Sequence, residues 1–387
     1  MLYSIVILLA LCAVAADRHH LRRLKREGVG PLRRRLFIAW AALTDSLPLI
    51  VAVAGLLLRD HSTAYIHWTM WIFWAWMVAI FSRIGFYAFN ALHRPRLGVL
   101  AGLGIAGIMV WGATAGRTTL HINAIEVCSD RLPAGFDGLR IVQFSDLHVG
   151  TLVHPDRELN RLIDSINALH PDLILFTGDL VNIRSSELTP AVLQKLGALA
   201  APVYSVTGNH DTGRYIKDTV AQPADESLAQ VIERQTQAGW HVLQDTTVYL
   251  HREGDSISLS GISFDPALHR QRHASQLHVA TLDKTYAGVP DSLFNITAVH
   301  LPQLWPQILE TGHGDLTLAG HVHGMQMKID LFGHSVSPAS WLYKRWSGPY
   351  RQDGRTLYIN DGIGCVGYPM RLGAWPEITL ITLRKCS

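Results

Sequence analysis

The sequence predicts an α/β domain preceded by a transmembrane helical region, and two observations lead to this prediction. The 387 residues are 48% hydrophobic and only 17% charged, whereas soluble domains carry about 25% charged residues. Apolar runs fill the first third of the chain, and alternating strand and helix patterns follow. We therefore expect a transmembrane region at residues 1–115 and a soluble domain at residues 116–387. The composition also excludes a disordered chain and, with 4 Cys, a disulfide-dense scaffold.

Four apolar runs predict about four membrane-spanning helices. They cover residues 2–16, 36–58, 65–81 and 98–115, and a spanning helix needs about 20 residues. The first run is short and resembles a signal sequence, with Ala13-Val14-Ala15 as a cleavage motif. It lacks the positively charged start of a signal sequence, so we favour an uncleaved helix over cleavage.

Lys and Arg residues indicate the orientation of this region. They are concentrated at residues 17–35 and 82–97, and short loops rich in these residues stay in the cytoplasm. With both segments as cytoplasmic loops, the last helix runs outward. We thus expect a multi-pass protein of the cell (inner) membrane with an extracytoplasmic domain. Because much of the positive charge lies in these loops, the net charge of +3 does not indicate a nucleic-acid partner.

The expected location bears on the cysteines of the soluble domain. Disulfides persist in oxidising compartments such as the outer side of the membrane. A disulfide among Cys128, Cys365 and Cys386 is therefore compatible with the sequence. Their spacing alone leaves the pairing open.

Strand and helix patterns alternate from residue 139 onward. Buried-strand patterns cover residues 139–145, 172–177 and 202–207, and helix patterns cover residues 155–169 and 188–200 between them. A further helix is expected after residue 222, with strands near residues 256–262, 294–299, 316–319, 356–360 and 377–383. This order is typical of a sheet covered by helices.

Metal-ligating residue types follow the ends of five predicted strands. They are Asp146, His148, Gly178-Asp179, Gly208-Asn209-His210-Asp211, His300 and Gly320-His321-Val322-His323-Gly324. Carboxylate oxygen, amide oxygen and imidazole nitrogen without thiolate suit Mn, Fe, Zn or a similar divalent metal. Most of these motifs alone are common as turns or helix caps. Their occurrence in order, each after a strand, predicts one metal site at the mouth of a sheet.

This series of motifs resembles the calcineurin-like metallophosphoesterase superfamily, in particular its membrane-attached bacterial branch. The resemblance covers residues 139–383, including Pro369-Met370-Arg371, and implies a four-layer αββα sandwich with a two-metal centre. One metal would be held by Asp146, His148, Asp179 and His323, and the other by Asp179, Asn209, His300 and His321. A water bridging the two metals would be the nucleophile. His210 would act as the catalytic histidine, protonating the leaving oxygen or stabilising the transition state.

The chain departs from the family pattern near this histidine and near its end. In one branch of the family, an aspartate three residues after the bridging ligand orients the catalytic histidine, whereas this chain has Asn182. Asp211 is the alternative residue for that role. Asp361 replaces a basic residue near the end of the domain. All metal ligands are kept, so these changes affect substrate choice and rate more than the class of reaction.

Two other features have two interpretations each. His269 and His273 have a helical spacing that a metal could use, but we favour a solvated surface. The aromatic and basic stretch at residues 341–350 either packs in the core and a lid, which we favour, or meets a lipid interface.

We therefore expect a membrane-anchored, metal-dependent phosphohydrolase that cleaves phosphoester bonds. Its expected partners are the lipid bilayer and a phosphoester substrate, with lipid-linked phosphates as candidates. A sugar-nucleotide or cyclic-nucleotide phosphodiesterase is the enzymatic alternative. A non-catalytic membrane sensor that retains the fold is the alternative from another class, although its usual mark, a missing metal ligand, is not found.

Overall fold

A computed structural model describes residues 2–58, 63–216, 223–274, 277, 281–332 and 334–386. The chain divides into two compact units, residues 1–115 with 367–370 and residues 116–366 with 371–387. The described helices of the first unit are α1 (Leu2–Arg26), α2 (Pro31–Leu58), α3 (Thr63–Ala91) and α4 (Pro95–Thr114).

Two helical segments are long and apolar enough to cross a membrane by length and composition. Within the described residues these are Thr63–Ala91 and Pro95–Thr118. Small residues bring α3 and α4 close together. A Cβ on Gly98 would lie 2.7 Å from the carbonyl oxygen of Phe86, and one on Gly102 would lie 3.0 Å from that of Ser82. Close approach of backbones through small residues is typical of helix pairs in membranes.

The helices of the first unit extend beyond the ends that hydropathy predicts. The residues expected to form loops at 17–35 and 82–97 are helical as far as Arg26 and Ala91. Only short turns separate successive helices there. A prediction from hydropathy alone ends a helix at the first charged residues. A charged residue can nevertheless lie inside a helix when a neighbouring helix supplies an oppositely charged partner.

Arg83 shows how the helix accommodates charge. Its Nη1 lies 2.5 Å from Asp17 Oδ2 and its Nη2 lies 2.5 Å from Asp45 Oδ1, so that α1, α2 and α3 each contribute one group. The guanidinium also lies over the Trp40 ring, 4.7 Å from its centroid. Arg83 is buried and lies within α3, so the expectation that it belongs to a loop at residues 82–97 is wrong.

The second unit contains strands and helices in alternation. Its helices are α5 (Pro155–Asn167), α6 (Pro190–Leu196), α7 (Ala224–Gln237), α8 (Thr281–Thr285) and α9 (Trp305–Glu310). The strands are β1 (His121–Ser129), β2 (Arg140–Phe144), β3 (Leu173–Phe176), β4 (Val203–Ser205), β5 (His241–Val242), β6 (Thr246–Arg252), β7 (Asp255–Ile262), β8 (Asn295–Val299), β9 (Leu316–Ala319), β10 (Ile329–Leu331), β11 (His334–Val336), β12 (Gly348–Gln352), β13 (Arg355–Ile359) and β14 (Glu377–Lys385).

These strands form two six-stranded sheets and a separate hairpin within the described residues. The first sheet has the order β1-β14-β2-β3-β4-β5, and the second has the order β12-β13-β9-β8-β7-β6. Neighbours β2, β3 and β4 are parallel, as are β7, β8 and β9. The hairpin pairs β10 with β11.

Three apolar clusters make the second unit a four-layer sandwich. One cluster lies between the sheets and includes Ile141 and Leu175 of the first sheet with Leu259 and Leu318 of the second. A second cluster packs α5, α6 and α7 on the outer face of the first sheet, and a third packs α8 and α9 on the second. The expected αββα arrangement is confirmed. Central strands such as β3 are apolar throughout because both of their faces are buried.

Helix α5 illustrates why these residues form the outer layer. Pro155 opens the helix, where its missing N–H costs nothing, and acidic residues fill the first turn. Its buried side chains are Leu159, Leu162, Ile163 and Ile166, at the spacing of one helical face. Burying each contributes about 1.5–3 kcal/mol.

A disulfide joins the two strands at the edge of the first sheet. Cys128 on β1 and Cys386 just after β14 are bonded, with their Cα atoms 5.5 Å apart. Cys365 is a buried free thiol. The parallel register of β1 and β14 explains the pairing, because it places Cys128 opposite Arg384, two residues before Cys386.

Candidate metal centre

The side chains expected to bind metal come together at one edge of the two sheets. Each lies on a loop that directly follows β2, β3, β4, β8 or β9. Because these strands are parallel within their sheets, their carboxyl ends meet at the same edge. The structure brings together all eight residues expected from the sequence, namely Asp146, His148, Asp179, Asn209, His210, His300, His321 and His323.

The first group of ligands surrounds Asp146. Its Oδ1 lies 3.0 Å from His323 Nε2 and 3.9 Å from His148 Nε2. The two imidazole nitrogens are 3.2 Å apart. Asp179 Oδ2 lies 3.7 Å from His148 Nε2, which brings this carboxylate to the edge of the group.

The second group shares Asp179 with the first. Asp179 Oδ2 lies 3.2 Å from His300 Nε2, and that nitrogen lies 3.1 Å from Asn209 Oδ1. The His321 ring completes the group, with its centroid 5.1 Å from that of His300. The same carboxylate oxygen of Asp179 therefore faces ligands of both groups.

The backbone is strained where it presents these ligands. Five of them have positive φ angles, which are uncommon for residues other than glycine. They are Asp146, His148, Asp179, His321 and His323. Such conformations cost about 1–3 kcal/mol each and are kept where the surrounding structure imposes them, typically at functional sites.

Glycines beside the ligands allow this close packing. A Cβ on Gly208 would collide with the Asp179 carboxylate, and a Cβ on Gly320 would collide with Asp146 and Ser145. Only glycine fits at these positions without displacing a ligand.

The residues fit divalent cations by the chemistry of their donors. His321 Nε2 is buried and makes no hydrogen bond within the described part of the chain. His148 Nε2 and His323 Nε2 face each other across the first group, with Asp146 and Asp179 carboxylate oxygens nearby. An orphaned buried nitrogen is unfavourable, and convergent imidazole nitrogens and carboxylate oxygens are the donors that Mn, Fe and Zn accept.

Electrostatics keep these carboxylates ionised. Burial alone would raise the pKa of Asp179, but the His300 and His210 imidazoles outweigh it and hold the pKa well below its usual value. Burial likewise opposes ionisation of Asp146, and the nearby His323 lowers its pKa in turn. Charged carboxylates are the form that binds a cation.

The pKa values of the ligand imidazoles shift in both directions. Burial lowers the pKa of His148 and of His321 well below the usual value, which keeps both rings neutral and able to bind metal. Burial would also lower the pKa of His300, but the Asp179 carboxylate outweighs it and raises that pKa to about 9.

His210 is oriented by a backbone carbonyl. Its Nδ1 lies 2.6 Å from the carbonyl oxygen of Asn182 and donates to it. The ring stacks on Tyr215 with centroids 4.2 Å apart, and its centroid is 4.7 Å from that of His148. Residue 182 thus orients the histidine although its side chain is not the aspartate of the family branch.

Asp211 does not have the role that the sequence left open for it. Its carboxylate accepts the backbone N–H groups of Asp179, Leu180, Val181 and Gly208. Burial raises its pKa to about 7. Asp211 therefore holds the loop that carries the shared ligand Asp179, and the alternative that it orients His210 is wrong.

Sequence reasoning missed Glu187, which fixes the loop that orients His210. The Glu187 carboxylate accepts N–H groups from Asn182 at 2.6 Å, Ile183 at 2.8 Å and Gly150 at 3.0 Å. A Cβ on Gly150 would collide with this carboxylate. A buried acid just after a ligand loop is the signal that could have found it, since buried carboxylates need several donors.

Arg371 is the second residue that sequence reasoning left without a role. Its side chain is fully buried. It donates to the carbonyl oxygens of Gly364, Asp361 and Ala374, and its Nη2 lies 3.1 Å from His323 Nδ1. Arg371 therefore ties the last loop of the domain to a ligand of the first group.

A polar wall stands beside the second group. We use this name for Tyr215, Arg272, His273 and Tyr343. The Arg272 guanidinium carbon is 5.5 Å from the Tyr215 ring centroid, and Asn209 Nδ2 donates to the Tyr215 hydroxyl at 3.0 Å. This wall places a cation and phenols next to a candidate metal ligand.

His273 belongs to this wall through two contacts. Its Nδ1 pairs with the Tyr343 hydroxyl, and its ring stacks on His321 with centroids 5.6 Å apart. The favoured interpretation of His273 as solvated surface is therefore incomplete, because the exposed ring contacts a ligand. The side chain of His269 lies outside the described residues.

Known proteins match the chain over the domain that carries this centre. The family model for calcineurin-like phosphoesterases matches residues 139–325. An uncharacterized metallophosphoesterase of Bacillus subtilis is 32% identical over 285 residues, which cover 70% of this chain and 86% of that protein.

Two further relatives have more informative descriptions. A transmembrane protein with metallophosphoesterase domain of Danio rerio is 28% identical over 295 residues, which cover 75% of this chain and 63% of that protein. The UDP-2,3-diacylglucosamine pyrophosphatase LpxG of Chlamydia muridarum is 25% identical over 303 residues, which cover 65% of this chain and 86% of that protein.

Sequence match and site agree on the class of protein. The matched region contains all eight converging residues. The transmembrane relative and the two apolar helices indicate membrane association. The chain belongs to the calcineurin-like metallophosphoesterases, and it is a metal-dependent phosphoester hydrolase.

Proposed function

We propose that this protein is a membrane-anchored phosphohydrolase that uses two divalent metal ions to cleave phosphoester bonds of lipid-linked phosphates outside the cytoplasm. The observation that carries the proposal is the pair of ligand groups sharing Asp179, next to His210, in a chain with two helices of membrane-spanning length. A membrane anchor keeps such a centre near phosphates at the bilayer surface.

The ligand groups divide between two ions. Asp146, His148, Asp179 and His323 would hold one, and Asp179, Asn209, His300 and His321 would hold the other. When bound, the ions would polarise the phosphate oxygens and lower the pKa of water so that it can attack phosphorus. The nitrogen and oxygen donors suit Mn, Fe or Zn.

His210 is the side chain proposed to handle the leaving group. The Asn182 carbonyl accepts the Nδ1 proton and thereby orients the ring, leaving Nε2 for the substrate. To serve the leaving oxygen the ring would first be protonated at Nε2, and burial, which lowers the pKa of His210, makes that imidazolium a stronger acid. The short distance to the His148 ring keeps His210 beside the first ligand group.

The polar wall is proposed to read a second anionic group of the substrate. Arg272 supplies a positive charge, and Tyr215 couples it to Asn209 through a hydrogen bond. Guanidinium groups bind phosphate through two parallel hydrogen bonds. A lipid carrying a diphosphate would therefore contact both the ligand groups and Arg272, and the pyrophosphatase described for the Chlamydia relative supports this substrate class.

The disulfide supports the outer side of the membrane as the location of the domain. Cys128 and Cys386 are bonded, and disulfides persist in oxidising compartments. The basic residues at 17–35 support the same orientation. Arg83 no longer contributes to that argument, because it is paired within the helices.

A sugar-nucleotide diphosphatase on the cytoplasmic side is the second candidate. It is favoured by the described substrate of the Chlamydia relative, and Arg272 would serve it equally. A reporter enzyme that works only outside the cytoplasm, fused to the C-terminus, distinguishes the two candidates. It should be active only if the domain lies on the outer side of the membrane.

The test of the function is a phosphate-release screen with purified full-length protein. Lipid monophosphates, lipid diphosphates, sugar nucleotides and an aryl phosphate are compared with Mn, Zn or Fe added. We expect metal-dependent release from lipid phosphates, lost in Asp179→Asn. Release from sugar nucleotides alone would favour the second candidate, and no release with any metal would favour a sensor.

A further inference from the structure

The hairpin that follows the last metal-binding loop is amphipathic. In β10 and β11, Ile329 pairs with Val336 and Asp330 pairs with Ser335. Side chains alternate between the faces of a strand, so Ile329, Leu331 and Val336 share one face. The opposite face is polar, and the Ser335 hydroxyl donates to Asp330 at 2.5 Å.

The apolar face of this hairpin is uncovered within the described part of the chain. Ile329 is 60% exposed, Leu331 is 54% exposed and Val336 is 55% exposed. At the turn, Phe332 is 99% exposed, and Trp341 farther along is 82% exposed. We call the four hairpin side chains, Ile329, Leu331, Phe332 and Val336, the apolar tip. Large apolar groups gathered at one exposed place mark an interaction surface.

The base of the hairpin is firmly attached to the metal-binding loop. The Ser337 hydroxyl donates to the carbonyl oxygen of Gly324 at 2.7 Å, one residue after His323. Tyr343 and Trp346 are buried with Val322 of the same loop. The aromatic stretch at residues 341–350 thus divides: these two aromatics pack, as the sequence favours, whereas Trp341 does not.

We propose that the apolar tip inserts into the surface of a lipid bilayer. The helices Thr63–Ala91 and Pro95–Thr118 have the length and composition to keep a bilayer within reach of the chain. The Arg345 guanidinium packs over the Trp305 ring, but Lys344, three residues after Trp341, is exposed and its positive charge is complementary to anionic lipids. Aromatic and aliphatic side chains next to Lys and Arg are typical of elements that lie in the interface.

Insertion has a consequence for the metal centre. Gly324 and His323 are adjacent in the chain, so the contact from Ser337 links the inserted hairpin directly to a ligand loop. A bilayer held by the apolar tip would lie close to the loop that presents His321 and His323. The inference concerns binding, and it stands whichever phosphoester the centre cleaves.

The test places an environment-sensitive fluorophore on each face of the hairpin in the full chain. Cys12 is exposed and is first replaced by Ser, while Cys365 is buried and the other two cysteines are bonded. Phe332→Cys reports on the apolar tip, and Ser335→Cys on the polar face is the matched control. Both proteins are labelled and reconstituted in vesicles of phosphatidylglycerol and phosphatidylcholine.

We expect a blue-shifted emission at position 332 that is quenched by nitroxide-labelled lipid, and neither effect at position 335. Equal quenching of both labels by aqueous iodide would overturn the proposal, because the tip would then be solvated. A shielded label at 332 that lipid nitroxide does not quench would also overturn it, in favour of a protein contact. Phe332 is almost fully exposed, so its replacement leaves the core intact.

Discussion

The Nδ1 atom of His210 donates to the backbone carbonyl oxygen of Asn182 across 2.6 Å. The carbonyl is held in place because Glu187 accepts the N–H of the same residue and of Ile183. Orientation of the proposed proton donor therefore depends on a buried carboxylate that never touches it. A side chain at position 182 is not required for this contact.

The first prediction concerns this chain of contacts. Glu187→Gln turns an acceptor into a donor that faces backbone N–H groups, which costs about 1–3 kcal/mol of unfolding free energy. We expect kcat to fall while KM changes little, because the position of His210 is disturbed. Asn182→Ala is the matched control and should retain most activity. A larger loss in Asn182→Ala than in Glu187→Gln would contradict the assignment.

The second prediction concerns metal stoichiometry. Asp179 faces both ligand groups, so Asp179→Asn should lose most of both metals. His321 belongs to one group, so His321→Ala should lose about one of the two ions expected for a two-metal site. Elemental analysis of purified protein measures both. Equal stoichiometry in the two variants would show that Asp179 is not shared.

The third prediction concerns Arg371. Its removal leaves buried carbonyl oxygens without donors, and each unsatisfied group costs about 1–3 kcal/mol. We expect Arg371→Met to lower the unfolding free energy by several times this amount or to prevent folding. Arg371→Lys keeps the charge and tests the bonds more gently. Arg384→Lys, at an exposed pair with Glu126, is the control and should change stability by less than about 1 kcal/mol.

The fourth prediction concerns substrate choice. A charged hydrogen bond contributes about 1.5–3 kcal/mol, so Arg272→Ala should lower kcat/KM for a lipid diphosphate by about tenfold or more. A simple aryl monophosphate has no second phosphate for Arg272 to bind, so its kcat/KM should change little. Arg270→Ala, an exposed arginine nearby, is the matched control. Equal losses for both substrates would remove Arg272 from substrate recognition.

The fifth prediction concerns the helical unit. Removing Arg83 leaves buried Asp17 and partly buried Asp45 without their cation, and breaking a buried pair costs about 3–5 kcal/mol. Arg83→Gln should therefore lower the melting temperature of the protein in detergent markedly. Arg94→Gln removes an exposed arginine and should leave it unchanged. A similar melting temperature for the two variants would mean that the ion pairs are not structural.

The candidate ligands could be predicted from the sequence because each directly follows a predicted strand. Asp146, Asp179 and His300 each follow an apolar run that a buried strand explains. Because parallel strands end at one edge of a sheet, residue type and position after each strand were enough to predict that these side chains lie together. Strands β1 and β6 were not predicted, because their residues are largely exposed or half-buried and carry no continuous apolar run.

The sequence by itself determined the class of fold, the family and the set of residues with metal-binding chemistry, since these depend on local pattern and residue type. Only the tertiary structure decided that a carbonyl orients His210, that Arg83 is a buried partner of Asp17 and that Cys128 bonds Cys386. A backbone carbonyl is the same group in every residue and leaves no mark in the sequence. Pairs between distant segments form only when packing brings those segments together.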